Sequence, residues 1–109
     1  MAATEKVFTN QSANGQSTVY EWPGGIGTFV CEGTWNSATV KMQMSPDGGT
    51  TWVDVGDDVT FTDDGVGNFE LGSDSSFKIR ADMSSAGNST SVDCWMTVRH
   101  PYGGLETVG

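Results

Sequence analysis

The fifteen residues from Ala38 to Trp52 constrain the fold of this chain more than any other stretch. Val40, Met42 and Met44 alternate with Thr39, Lys41 and Gln43, which is the period of a strand with one buried face. The segment Ser45-Pro-Asp-Gly-Gly-Thr-Thr-Trp52 follows without a gap. Asp47 comes after a proline and before two glycines, a setting in which a short carboxylate accepts hydrogen bonds from backbone N–H groups a few residues on. Gly48 and Gly49 supply the positive φ that a tight hairpin needs. Thr51 and Trp52 then begin the return strand, with the indole folded over the turn. This segment dictates a hairpin and says little about chemistry.

The rest of the chain repeats the strand theme. Leu, Ile, Val and Phe make up only 20 of 109 residues and the formal charge is −9, a combination that elsewhere signals disorder. Four tryptophans and repeated alternation argue against it. Two leucines and six alanines leave few helix formers, and the apolar set is dominated by β-branched and aromatic residues. Eight strands are predicted: 16–22, 26–35, 38–44, 52–55, 59–62, 66–71, 76–83 and 91–99. The second puts Phe29, Cys31 and Trp35 on one face; the seventh buries Phe77, Ile79, Ala81 and Met83; the eighth buries Val92, Cys94, Met96 and Val98. Short strands with turns every 8 to 12 residues predict an all-β, antiparallel β-sandwich, jelly-roll-like in form, with an immunoglobulin-like sandwich as the alternative. Residues 1–15 read as a polar N-terminal arm, 16–100 as the sandwich domain and 101–109 as a C-terminal tail without periodicity.

Segment 45–52 matches the Asp-box pattern S-x-D-x-G-x-T-W through Ser45, Asp47, Gly49, Thr51 and Trp52. Asp-boxes recur on the blade hairpins of sialidase-like propellers, away from the active site, so this resemblance implies a structural hairpin. A propeller needs at least four blades of about 40 residues, which 109 residues and one box exclude. A second resemblance spans about residues 26 to 99 and rests on Ala38 to Val55, Thr60-Phe-Thr-Asp-Asp-Gly65, Asn68-Phe-Glu-Leu71 and Phe77-Lys-Ile-Arg-Ala81. In the order of its strands and turns the chain is similar to the small β-rich virion proteins of tailed phages. That resemblance implies a capsid decoration, knob or head-fibre protein. Such a protein is made in the host cytoplasm, sits on the outer capsid surface, binds the major capsid protein and commonly assembles as a homotrimer. The N-terminal arm, with Lys6, Val7 and Phe8, is the expected capsid contact, because an arm can add a strand to an exposed sheet edge.

Charge and side-chain chemistry narrow the remaining options. Fourteen acidic residues against five scattered basic ones disfavour phosphate neutralisation, so no nucleic-acid partner is expected. No 18-residue apolar run or apolar leader is present, so no membrane insertion is expected. Cys31 and Cys94 lack metal-type spacing and read as inward-facing free thiols. Asp57, Asp58, Asp63 and Asp64 form weak Ca²⁺ candidates that miss the EF-hand spacing, and the default reading is solvated turns with no metal. Trp22, Trp95 and Tyr102 are candidates for a subunit interface or, in the alternative reading of a fibre adhesion module, for stacking on a host-surface glycan. A single histidine, His100, with no nucleophile motif around it, gives no catalytic set. The expected protein is not an enzyme and carries no cofactor.

Overall fold

A computed structural model describes residues 4–99 and 105–107. Among the described residues there are eleven strands: β1 Thr4–Gln11, β2 Gly15–Gln16, β3 Tyr20–Glu21, β4 Gly25–Thr34, β5 Thr39–Ser45, β6 Val53–Asp54, β7 Thr60–Phe61, β8 Gly65–Leu71, β9 Lys78–Ser84, β10 Ser91–Arg99 and β11 Glu106–Thr107. A 3₁₀ turn, Asp57–Val59, leads into β7. One sheet has the order β1-β10-β4-β8, and the second runs β11-β3-β9-β5-β6, with β2 beside β9 and β7 beside β5. All described pairings are antiparallel.

Strand order decides between the two sandwich types. If β2 with β3, and β6 with β7, each count as one limb and β11 is set aside, the limbs run 1-8-3-6 in one sheet and 2-7-4-5 in the other. The first limb lies beside the last, and successive limbs mostly cross from sheet to sheet, which is the nesting of a jelly roll. An immunoglobulin-like sandwich would instead pair its first two strands in one sheet.

The core lies where the two inner faces meet. Phe29, Cys31, Val92, Cys94, Met96 and Val98 come from the first sheet; Val40, Met42, Ile79, Ala81 and Met83 come from the second. Full burial of side chains such as Phe29, Met42 and Ile79 stabilises the fold by about 1.5–3 kcal/mol apiece before entropy is counted. Close approach also fixes glycine: a Cβ on Gly27 would collide with the Phe69 ring, so Phe69 fills the space opposite it on β8.

Two expectations need correction. The N-terminal arm is a strand over Thr4–Gln11, paired with β10, and its apolar pair is in the core: Val7 is 8% and Phe8 3% exposed. Consecutive residues of a regular strand face opposite ways, but register shifts on both sides of Phe8 turn both side chains inward, the signature of a bulge. The C-terminal tail likewise contributes to the fold, through buried Leu105 and through β11, which pairs with β3. Residues 1–3, 100–104 and 108–109, among them His100 and Tyr102, lie outside the described residues.

Candidate interaction surface

The Ser45–Trp52 turn is built as its residue types demand. Asp47 accepts from the N–H groups of Thr50 at 3.2 Å and Thr51 at 2.8 Å, and from the Ser45 hydroxyl at 2.8 Å. The buried Ser45 Oγ accepts in turn from the N–H of Gly49 at 2.8 Å. Gly48, at φ 80°, and Gly49, at φ 107°, occupy backbone conformations that side chains resist. Donation from Thr51 first, then from Ser45, holds the Asp47 carboxyl down at about 2. Trp52 closes the turn by donating its indole N–H to Gly49 O at 3.1 Å. The carboxylate is thus spent within the turn, which is tied to the rest of the chain by the Gly48 N–H donating to Ser76 O at 2.9 Å.

Beyond the turn, the outer face of the second sheet is a polar lattice. Cross-strand neighbours Gln43 and Arg80 are joined by donation from Arg80 Nε to Gln43 Oε1 at 2.9 Å. Gln43 Nε2 and Lys41 Nζ both donate to Asp54, at 3.0 and 3.2 Å, and those two donors depress the Asp54 carboxyl, Gln43 foremost. Gln16 Nε2 donates to Asp82 at 2.7 Å. The Arg80 guanidinium stacks 4.1 Å over the Trp52 ring, a contact the sequence did not reveal because the two residues are 28 positions apart.

The outer face of the first sheet is different in kind. Register places Lys6, Trp95, Val30 and Val66 in one row across β1, β10, β4 and β8. The next row is Thr4, Thr97, Thr28 and Asn68, closed by hydroxyl hydrogen bonds Thr4–Thr97 and Thr28–Asn68 of 2.9 Å each. Beyond it lies Ile26. Val66 is 66% exposed and Ile26 46%, and they are two of the three large apolar side chains exposed among the described residues. Lys6 Nζ rests 5.1 Å from the Trp95 ring centroid and also reaches Asp93 at 3.5 Å. Sequence periodicity put Trp95 and Val30 on outward faces; it could not show that they are neighbours in a row.

Other predicted site residues fall elsewhere. Trp22, expected at an interface or glycan site, is 3% exposed and packs on Phe69 at 5.1 Å, with its N–H donated to Leu71 O. With Trp35 also buried, and Trp52 and Trp95 on opposite faces each covered by a cation, the aromatic platform is absent among the described residues. Val7 and Phe8, expected against a capsid, are committed to the core, which leaves Lys6 as the member of that trio facing out. Asp64, a weak Ca²⁺ candidate, accepts from Trp35 Nε1 at 2.8 Å and from the Gly33 N–H at 3.0 Å; these donors lower its pKa, Trp35 first. Asp63 accepts from the Asp64 N–H, while Asp57 and Asp58 belong to the 3₁₀ turn. Among the described residues no group of three His, Cys, Asp or Glu side chains gathers to hold a metal ion. An open groove of about 450 Å³ runs between Val55–Val59 and Asn68–Leu71, with Asp57, Asp58 and Glu70 as its ionisable groups.

No family model matches the chain, and no curated protein matches it. Among solved structures, a chain in the structure of infectious bursal disease virus, Gx strain, is similar at 16% identity with a TM-score of 0.39. That match covers 90% of this chain and 28% of the other, so this chain spans little more than a quarter of that polypeptide. Among the described residues no helix is long and apolar enough to cross a membrane.

Proposed function

We propose that this chain is a non-enzymatic structural protein of a tailed-phage particle, a decoration or knob protein seated on the outer head surface. It binds the major capsid protein through the outer face of its first sheet. The observation that carries this reading is the row Trp95–Val30–Val66, with exposed Ile26 beyond the hydroxyl row, apolar surface on a sheet whose solvent face is otherwise polar. The sandwich fold and the similarity in strand and turn order to small phage virion proteins support it. The strand-addition role first assigned to residues 1–15 is fulfilled within the chain by β1, so the contact passes to a sheet face.

Particles of the encoding phage, grown without this protein and incubated with it after purification, test the proposal. Saturable binding to intact heads is expected, with Val66→Glu and Ile26→Glu reducing occupancy at least tenfold. Binding of the double variant at the wild-type level, or no binding of the wild type to heads, would overturn it. Sedimentation of the free protein separately checks the trimer, which is a proposal on the same reading.

A further inference from the structure

We propose that Cys31 and Cys94 are a reversible redox site, a cross-strand dithiol that low-molecular-weight disulfides such as oxidised glutathione convert to an intramolecular disulfide. Residues 31 and 94 are direct partners in the β4–β10 ladder. Directly opposed residues of an antiparallel pair have Cα atoms about 4.5–5.5 Å apart and side chains on the same face, within the span a disulfide bridges. Both side chains point into the core, at 1% and 0% exposure, and the sulfurs are 3.0 Å apart. A bond of about 2.05 Å therefore asks each sulfur to move by roughly half an ångström, with no change of register.

The chemistry balances as two exchanges. One cysteine, as thiolate, attacks a sulfur of oxidised glutathione, forming a mixed disulfide and expelling one glutathione thiolate. The second cysteine gives up its proton and attacks the protein sulfur of that mixed disulfide, expelling the other glutathione. The protein loses two electrons and two protons; one oxidised glutathione becomes two reduced molecules.

Burial decides when this occurs. The hydrogen bond with Cys94, then desolvation, keep the Cys31 thiol protonated well above its ordinary range, and the Asp64 charge adds to this, so the closed sandwich is a poor nucleophile. Access requires separation at β10 or folding from an open chain. Once the first cysteine is derivatised, the ladder delivers the second to it, so the mixed disulfide is short-lived. By linkage, a fold that favours the bond is stabilised by it. The bond would close a loop across 63 positions and clamp the two central strands of the first sheet. The chain thus folds as a dithiol where thiols are kept reduced and is locked where they are not.

The test uses the full-length protein. The reduced chain is unfolded, refolded in a glutathione redox buffer, alkylated under denaturing conditions and weighed intact, with thermal melting recorded before and after reduction. A mass about 2 Da below the dithiol with no alkyl label is expected, together with a melting temperature raised by roughly 10 °C or more and lost on adding dithiothreitol. In the Cys94→Ser variant, Cys31 retains glutathione as a stable adduct, because the resolving thiol is gone. Two alkylated cysteines in the refolded wild type, a persistent glutathione adduct on it, an intermolecular disulfide as the main product, or an unchanged melting temperature would each overturn the proposal.

Discussion

The two sheets of the sandwich bury similar inner faces and expose contrasting outer ones. The second sheet turns Lys41, Gln43, Asp54, Arg80, Gln16 and Asp82 to solvent, the first four tied in one network and the last two as a pair. The first turns out Trp95, Val30 and Val66 in one row and hydroxyls in the next. A charged lattice such as the second face holds water and would cost desolvation to cover. The first face also carries charges, among them Lys6, Asp93, Glu32 and Glu70, but they flank the stripe, and its exposed Val66 and Ile26 gain by being covered. The contrast is the ground for placing the proposed partner contact on the first sheet and not on the second.

Mutations separate the inner from the outer contributions. Phe29→Ala beneath the first sheet should cost about 3–5 kcal/mol and Met42→Ala beneath the second about 2–5 kcal/mol, read by denaturant unfolding; both side chains are fully buried. Similar losses would show that the sheets differ only on their solvent sides. Val66→Glu should leave the unfolding midpoint within about 0.5 kcal/mol of wild type while lowering particle binding tenfold, or about 1.4 kcal/mol. Gln43→Ala should leave particle binding unchanged, and a loss there would abolish the distinction between the faces. Arg80→Ala removes both the stack on Trp52 and the hydrogen bond to Gln43, and should destabilise by about 1 kcal/mol without touching particle occupancy.

Acid should act next, through carboxylates outside the apolar stripe. Asp47 is held at about 2 in the folded chain, against about 3.9 for an unperturbed aspartate. Its folded value is the lower, so its contribution is complete above about pH 4 and is lost as pH falls towards 2. Asp54 and Asp64 are shifted in the same direction. Urea midpoints measured between pH 5 and 2 should fall, and the fall should be shallower in Asp47→Asn; a parallel curve for that variant would remove the turn from the account.

Much of this architecture is legible in the residues themselves. The alternation of β4, β5 and β10 identifies their buried faces, because burial of one face of a pleated strand has period two. The Ser45–Trp52 turn is equally legible, since its side-chain hydrogen bonds join residues no more than four positions apart. β1 escaped because the bulge beside Phe8 places Val7 and Phe8 on one side and so breaks the period. β11 escaped because two residues pairing with two others leave no periodic trace. Asp64 illustrates a different failure: an acidic residue in a turn looks solvated until Trp35 and Gly33 are seen to donate to it across 29 and 31 positions.

The amino-acid sequence by itself determined that this chain is all-β, which side chains point inward along strands such as β4, β5 and β10, and where its tightest hairpin turns. Those properties rest on local periodicity and on the backbone preferences of glycine and short polar residues. Only the tertiary structure decided which residues became lateral neighbours: Lys6 with Trp95, Trp95 with Val30, Val30 with Val66, and Cys31 with Cys94. Lateral register is set by packing two sheets built from distant segments, and no local pattern encodes it. The apolar stripe and the opposed thiols are both products of that register.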